Sequence, residues 1–114
     1  MEYTGIVREG ERRGATLGYP TINIETPLRG ADGVYAARVR IEGAEYQAAA
    51  FANPVRGVLE AHLLGFVGDV YGQKATIMLK KKIRDAEEFH SDSALRAAIA
   101  EDVNAVSQFF GDAT

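Results

Sequence analysis

Apolar and polar residues alternate along the first two-thirds of the chain. Between residues 35 and 41 every odd position is apolar, and Arg38 and Arg40 lie between them. Residues 75–80 show the same period of two. Such alternation is typical of a β-strand with one face against a core and the other facing solvent. Further strands are predicted at Tyr3–Val7, Thr21–Ile24, Tyr46–Ala52 and Val58–Phe66.

Turn signals separate these strands. They are residues 30–33, Glu42-Gly43, Asn53-Pro54 with Gly57, and residues 68–72. Several short strands at this spacing predict a barrel or a sandwich, because closing a sheet removes its exposed edges. No strand–helix alternation is present, which argues against a parallel α/β sheet.

The period changes near the C-terminus. Apolar residues at positions 95, 99, 103, 106 and 110 are spaced by four, four, three and four. This spacing makes one apolar stripe on a helix, which must lie on the barrel or plug its end. Ser91 or Ser93 can cap the helix, Asp92 suits its positive end, and Gly111 is placed to stop it. We predict one domain over residues 1–114, with the barrel over about 3–84 and the helix over about 92–110.

Composition narrows the class of protein. The chain has 114 residues, enough for one core, and its net charge of -3 lacks the basic excess of a nucleic-acid binder. It has no cysteine, which excludes disulfides and thiolate metal sites. No apolar stretch approaches the roughly 20 residues of a membrane helix, and the N-terminus lacks a signal pattern. We expect a cytoplasmic monomer that binds neither nucleic acid nor membrane.

A glycine-rich segment precedes the second predicted strand. Gly10, Gly14 and Gly18 recur every four residues, with Arg12 and Arg13 between the first two. Such a loop can bring backbone N–H groups to phosphate oxygens. It matches neither the P-loop nor the dinucleotide fingerprint, and spacing alone favours a plain flexible turn.

Thr21 and Asn23 are two positions apart, so on a strand their side chains point to one side. A hydroxyl and an amide oxygen brought together suit Mg²⁺, which takes oxygen ligands. Spacing alone favours the simpler interpretation that both residues satisfy turn backbone groups.

Glu60 lies on a mostly apolar face of its predicted strand, together with His62. A carboxylate in such surroundings is a candidate general base, and the alternative is a glutamate at the rim that faces solvent. His62 and His90 have no metal-ligand spacing, and a lone histidine is more often structural.

In their order along the chain, these segments resemble the riboflavin kinase family, which makes FMN from riboflavin and ATP. The resemblance covers about residues 5–106. The matching segments are Leu17–Asn23, Gly33–Ala36, Leu59–Leu64, Asp69–Gly72, and Ile83-Arg84 followed by Phe89, Ser91, Leu95 and Asp102. The resemblance implies a six-stranded Greek-key β-barrel with a C-terminal α-helix. It covers only the kinase half of the fused bacterial members, so FMN rather than FAD is the expected product.

The resemblance also implies roles for individual residues. Mg²⁺ and ATP are the implied cofactor and co-substrate. By position, the catalytic base is Glu60, and the Mg²⁺ ligands are Thr21 and Asn23. The residues near the nucleotide are Gly10, Arg13, Gly14, Gly18, His62 and Tyr71. The residues that close over the flavin are Arg84 and Phe89.

The chain departs from the family around this site. Ala15 stands where a basic residue is common, Phe51 replaces a usual glycine, and the connection from Pro54 to Glu60 is short. Gly65 and Ala86 replace acidic residues found in many members. These departures leave an alternative open, a non-catalytic flavin- or nucleotide-binding module on the same barrel. A plain structural or interaction domain is a third interpretation.

Overall fold

The computed structural model describes residues 1–8, 18–66 and 68–111. Within these ranges the elements are β1 (Glu2–Ile6), β2 (Ile22–Glu25), β3 (Gly33–Ile41), β4 (Ala44–Asn53), β5 (Val58–Leu63), β6 (Lys74–Arg84) and α1 (Asp92–Gly111). The predicted strands and the helix are confirmed. The strand predicted over Val58–Phe66 ends at Leu63, because a turn begins at the next residue.

The strands form one antiparallel sheet in the order β1-β6-β3-β4-β5-β2. The consecutive strands β3, β4 and β5 lie side by side, and β6 returns to lie beside β3, which is the Greek-key arrangement. The two outer strands approach each other where the Arg8 N–H donates to the Asn23 carbonyl at 2.7 Å. The result is the predicted six-stranded barrel, nearly closed.

The turn between β3 and β4 sets the register of the sheet. Ile41 pairs with Ala44, so Glu42 and Gly43 alone form the loop. Both have positive φ, at 49° and 82°, which is the type I′ geometry that matches the twist of paired strands. From this turn the pairing runs without interruption to Gly33 opposite Ala52.

The barrel interior is filled by the inward positions of each strand. On β5 these are Leu59, Ala61 and Leu63, whereas Glu60 and His62 are half-buried on the outer face. Small residues dominate β4, where Ala48, Ala50 and Ala52 are fully buried. Glu60 and His62 therefore lie outside the barrel core.

The helix α1 lies on the outer face of β3 and β4 and does not plug the barrel end. Val106 and Phe110 pack against Ala36 of β3, so the prediction that this strand keeps one face in solvent is wrong at Ala36. Ser91 caps the helix, because its Oγ accepts from the Ala94 N–H at 3.1 Å. Nowhere in the described residues is a helix both long and apolar enough to cross a membrane.

Candidate active site between the barrel and the helix

A row of side chains crosses the outer face of the sheet. Phe51 on β4 pairs with Val34 on one side and with Glu60 on the other, and Glu60 in turn pairs with Asn23 of β2. Directly paired residues have Cβ atoms about 4.5–5.5 Å apart and project from the same face. The sheet therefore brings the predicted base beside a predicted metal ligand.

A second row lies two residues further along β5. His62 pairs with Ala49 of β4, and its Nδ1 lies 2.8 Å from the Pro20 carbonyl oxygen. A carbonyl oxygen only accepts, so Nδ1 carries the hydrogen of this bond. The Tyr19 ring packs edge-on against the imidazole, with 5.3 Å between ring centroids.

Except for Asn23, the side chains of both rows form the floor of a cavity of about 440 Å³, which we call the first cavity. Its roof is formed by α1 and by the segment 86–90, which joins β6 to α1. A volume of this size is typical of a site for a small organic molecule. The lining residues are Tyr19, Thr21, Val34, Ala49, Ala50, Phe51, Glu60, His62, Arg84, Ala86, Glu87, Glu88, Phe89, His90, Leu95, Ile99 and Asp102.

An ion pair joins the end of β6 to α1 at the wall of this cavity. The Arg84 Nε donates to Asp102 Oδ1 at 2.8 Å, and its Nη2 donates to Oδ2 at the same distance. Hydrogen bonding to Asp102 raises the pKa of Arg84, and Asp102 is only 6% exposed. The Phe89 ring lies beneath the guanidinium, 5.6 Å from its carbon to the ring centroid. The pair thus fixes one end of the cavity roof.

A smaller second cavity, of about 240 Å³, adjoins the first. Its lining residues are Pro20, Thr21, Ile22, Leu63, Phe66, Gly68, Asp69, Val70 and Tyr71. The Tyr71 N–H donates to Asp69 Oδ1 at 2.8 Å, and the Tyr71 side chain is 43% exposed. Thr21 lines both cavities, so it lies at their junction.

The predicted site residues fall into four groups. Thr21, Glu60, His62, Arg84 and Phe89 line the first cavity. Among the residues predicted to lie near the nucleotide, His62 lines the first cavity and Tyr71 lines the second. Asn23 is 6% exposed and lines neither cavity, and Gly18 is exposed, with φ of +92°. Gly10, Arg13 and Gly14 lie outside the described residues, as does Ala15.

The donor set fits a hard divalent cation. In the described parts of the chain no group of three or more His, Cys, Asp or Glu side chains is arranged to hold a metal ion. Asn23 and Glu60 instead offer amide and carboxylate oxygens on two paired strands, and Thr21 offers a hydroxyl oxygen just before β2. Mg²⁺ takes such oxygen ligands and completes its shell with water and substrate phosphates.

The short connection before Glu60 leaves the site in register. The Gly57 N–H donates to the Asn53 carbonyl at 3.0 Å, and the Arg56 N–H donates to Asn53 Oδ1 at 3.3 Å. These bonds close a tight turn between β4 and β5, and Glu60 keeps its place opposite Phe51. Of the other departures, Phe51 and Ala86 line the first cavity.

Sequence reasoning missed several lining residues of the first cavity. They are Tyr19, Val34, Ala49, Glu87, Glu88, His90 and Ile99. Alternation along β3 and β4 predicts that Val34 and Ala49 share the outer face with Phe51. Only the register across three strands shows that this face also carries Glu60. The residues at 87–90 have no periodic signal, because they lie between elements.

A Greek-key barrel with two cavities that share Thr21 in their lining, and with the Glu60 carboxylate in the first of them, has the architecture of a barrel suited to small-molecule ligands. The chain belongs to the riboflavin kinase (Flavokinase) family, whose model matches residues 1–110. The match covers nearly the whole chain, including both cavities.

Curated relatives agree with this membership. The chain is 38% identical over 120 residues to the bifunctional riboflavin kinase/FMN adenylyltransferase of Escherichia coli K12, covering 95% of this chain and 37% of the relative. It is 32% identical over 117 residues to the protein of the same description from Mycoplasma pneumoniae, covering 96% of this chain and 43% of the relative. The chain thus spans well under half the length of these relatives.

Solved structures share the fold. Riboflavin kinase from Trypanosoma brucei matches with a TM-score of 0.71 and 25% identity, over 96% of this chain and 79% of that one. A structure described as a macrolide-efflux protein from Streptococcus pneumoniae matches with a TM-score of 0.78 and 27% identity, over 92% of this chain and 36% of that one. Both confirm the barrel with its C-terminal helix.

Proposed function

We propose that this chain transfers the γ-phosphoryl group of ATP to the 5′-hydroxyl of riboflavin, giving FMN and ADP. The main support for this proposal is that Thr21 lines both cavities and Glu60 lines the first. Two substrates bound on either side of Thr21 would meet at that residue. Membership in the riboflavin kinase family supports the choice of substrates.

The first cavity suits the flavin. Its apolar wall includes Val34, Phe51, Leu95 and Ile99, which match a flat aromatic ring system. Arg84 and Phe89 lie at the roof, and the two-pronged bond to Asp102 holds the guanidinium plane in place. A flavin ring bound against this wall would carry its ribityl chain toward the outer-face row that ends in Glu60 and Asn23.

Glu60 is the proposed general base. As the 5′-oxygen attacks the γ-phosphorus, Glu60 accepts the hydroxyl proton and the bond from phosphorus to the ADP oxygen breaks. Phosphoryl transfer depends mainly on positioning and charge stabilisation, so a rigid strand is a suitable platform for the base. The pairing of Glu60 with both Phe51 and Asn23 supplies that rigidity.

The second cavity and the junction suit the nucleotide. Tyr71 offers an aromatic face, and Thr21 and Asn23 would hold Mg²⁺. When bound, Mg²⁺ neutralises phosphate charge. The backbone at Gly18 leads into Thr21 from the glycine-rich segment, whose N–H groups are suited to phosphate oxygens.

The direct test is incubation of the purified chain with riboflavin, ATP and Mg²⁺, with FMN measured by chromatography. Glu60→Gln keeps the shape of the side chain and removes its basicity, so we expect kcat to fall by about 10²- to 10⁴-fold. Riboflavin binding, followed by flavin fluorescence, should stay within about twofold of wild type.

Two results would contradict the proposal. Near-normal turnover by Glu60→Gln would show that Glu60 is not the base. Stabilisation of the wild-type fold by riboflavin or Mg–ADP, with no FMN formed at saturating substrates, would instead favour the non-catalytic binding module.

A further inference from the structure

His62 lies in the candidate site, yet the proposed reaction gives it no task. It follows Glu60 by two positions on β5 and shares its outer face. Its Nδ1 lies 2.8 Å from the carbonyl oxygen of Pro20, two residues before β2. This bond links β5 to the residues that lead into β2.

The bond holds the backbone at a proline. Proline has no N–H, so Pro20 can be held through its carbonyl but not through its nitrogen. The ladder between β2 and β5 begins one residue beyond Thr21, where Ile22 pairs with Ala61. Thr21 therefore lies between a carbonyl held by His62 and the first ladder pair.

The geometry also shows which nitrogen of the imidazole carries a hydrogen. Because the Pro20 oxygen accepts, Nδ1 must carry hydrogen whether the imidazole is neutral or charged. The edge-on packing of Tyr19 at 5.3 Å restricts the rotation of the ring further. The His62 imidazole thus contacts both residues that precede Thr21, Tyr19 through its ring and Pro20 through its carbonyl oxygen.

We propose that His62 is a positioning residue for Thr21. Through the Pro20 carbonyl it fixes the backbone that orients the Thr21 hydroxyl at the junction of the two cavities, and so sets the affinity for the metal–nucleotide complex. The inference rests on the proposed metal role of Thr21. It does not require His62 to contact either substrate.

Three substitutions separate this role from others. His62→Asn keeps an N–H donor near the Nδ1 position, whereas His62→Gln moves the donor toward the Nε2 position, and His62→Ala removes it. Calorimetric binding of Mg–ADP is the main measurement, with thermal unfolding recorded for each variant. We expect Kd to rise about 3- to 10-fold for the Ala and Gln variants, as loss of one hydrogen bond predicts. His62→Asn should stay within about twofold of wild type.

A double-mutant cycle with Thr21→Ala tests the coupling. If His62 acts through Thr21, then removing His62 in the Thr21→Ala background should weaken Mg–ADP binding no further. Additive losses would show that His62 acts independently and would overturn the proposal. Equal weakening by Asn, Gln and Ala would overturn it as well, as would lower thermal stability with unchanged Kd.

The same series separates this inference from the proposed function. Unchanged Mg–ADP binding by Thr21→Ala alone would refute the metal role of Thr21, whatever the His62 variants do. A loss on Thr21→Ala with normal binding by His62→Ala and His62→Gln would refute only the positioning role. The comparison of Asn with Gln stays decisive if the Ala variant fails to fold.

Discussion

Neighbouring residues on β5 lie in different environments. Leu59, Ala61 and Leu63 are buried inside the barrel, and Glu60 and His62 face the first cavity. Alternation in the sequence predicts this separation, because the side-chain period of a strand is two. It does not predict what faces Glu60 across the sheet. That depends on registers fixed by the turns at 42–43 and 54–57.

The backbone conformation at position 33 requires a glycine. Its φ is +107°, and a Cβ added there would lie 2.6 Å from the Arg84 carbonyl oxygen. We expect Gly33→Ala to lower the free energy of unfolding by about 2–4 kcal/mol, because left-handed strain and a clash with rigid backbone combine. Urea denaturation measures the change.

Gly43→Ala is the matched control for Gly33→Ala. Gly43 also has positive φ, at +82°, but a Cβ there would meet nothing within 4 Å. Only the conformational penalty remains, about 1–2 kcal/mol. Equal losses for the two variants would show that the nearby Arg84 carbonyl adds nothing to the cost of a Cβ at Gly33.

At the scale of the element, the sequence predicts the apolar stripe of α1 but not the ion pair that Asp102 of this helix forms with Arg84. Its apolar spacing predicts the face that carries Val106 and Phe110. The same face buries Asp102, which the spacing does not predict, because its partner Arg84 lies 18 residues earlier on a strand. A buried carboxylate is stable only with such a partner, and tertiary structure alone supplies it.

The Arg84–Asp102 pair should couple stability to flavin binding. Arg84 retains 26% of its side-chain exposure and Asp102 retains 8%, so we expect Asp102→Ala to lower the free energy of unfolding by about 1–3 kcal/mol. The riboflavin Kd should rise as well, because the cavity roof loses its anchor. Chemical denaturation and flavin fluorescence measure the two effects.

Asn104→Ala is the control for Asp102→Ala, since Asn104 is exposed on the same helix and should change stability by less than about 0.5 kcal/mol. A cycle with Arg84→Met isolates the pair. Strictly additive losses would mean that the two side chains do not stabilise each other.

The sequence alone does not determine where α1 packs on the barrel. A stripe of apolar residues fits either the barrel end or the barrel side. Small outward residues on β3 and β4, Ala36 and Ala49, leave room for the helix on the side. Their fit to Val106 and Phe110 becomes apparent only once β3 and β4 are paired.

At the scale of the molecule, two cavities meet at Thr21, and each should govern one ligand. Phe51→Ala removes an aromatic wall of the first cavity and should raise the riboflavin Kd about tenfold, equivalent to about 1.4 kcal/mol of apolar contact. Tyr71→Ala removes an aromatic side chain from the lining of the second cavity and should raise the Mg–ADP Kd by a similar factor.

The two variants serve as controls for each other. Flavin fluorescence should show near-normal riboflavin binding by Tyr71→Ala, and calorimetry should show near-normal Mg–ADP binding by Phe51→Ala. If Phe51→Ala weakened Mg–ADP binding and left riboflavin binding unchanged, the nucleotide would have to be assigned to the first cavity and the flavin to the second.

The placement of the first cavity on the outer face of the sheet has an evolutionary consequence. On β5 the inward residues Leu59 and Ala61 belong to the core, and the outward residues Glu60 and His62 line the first cavity, so packing and site residues alternate along one strand. Substitutions at outward positions such as Phe51 can therefore accumulate without disturbing the interior packing. Related barrels can diverge in ligand preference at constant stability, one outward position at a time.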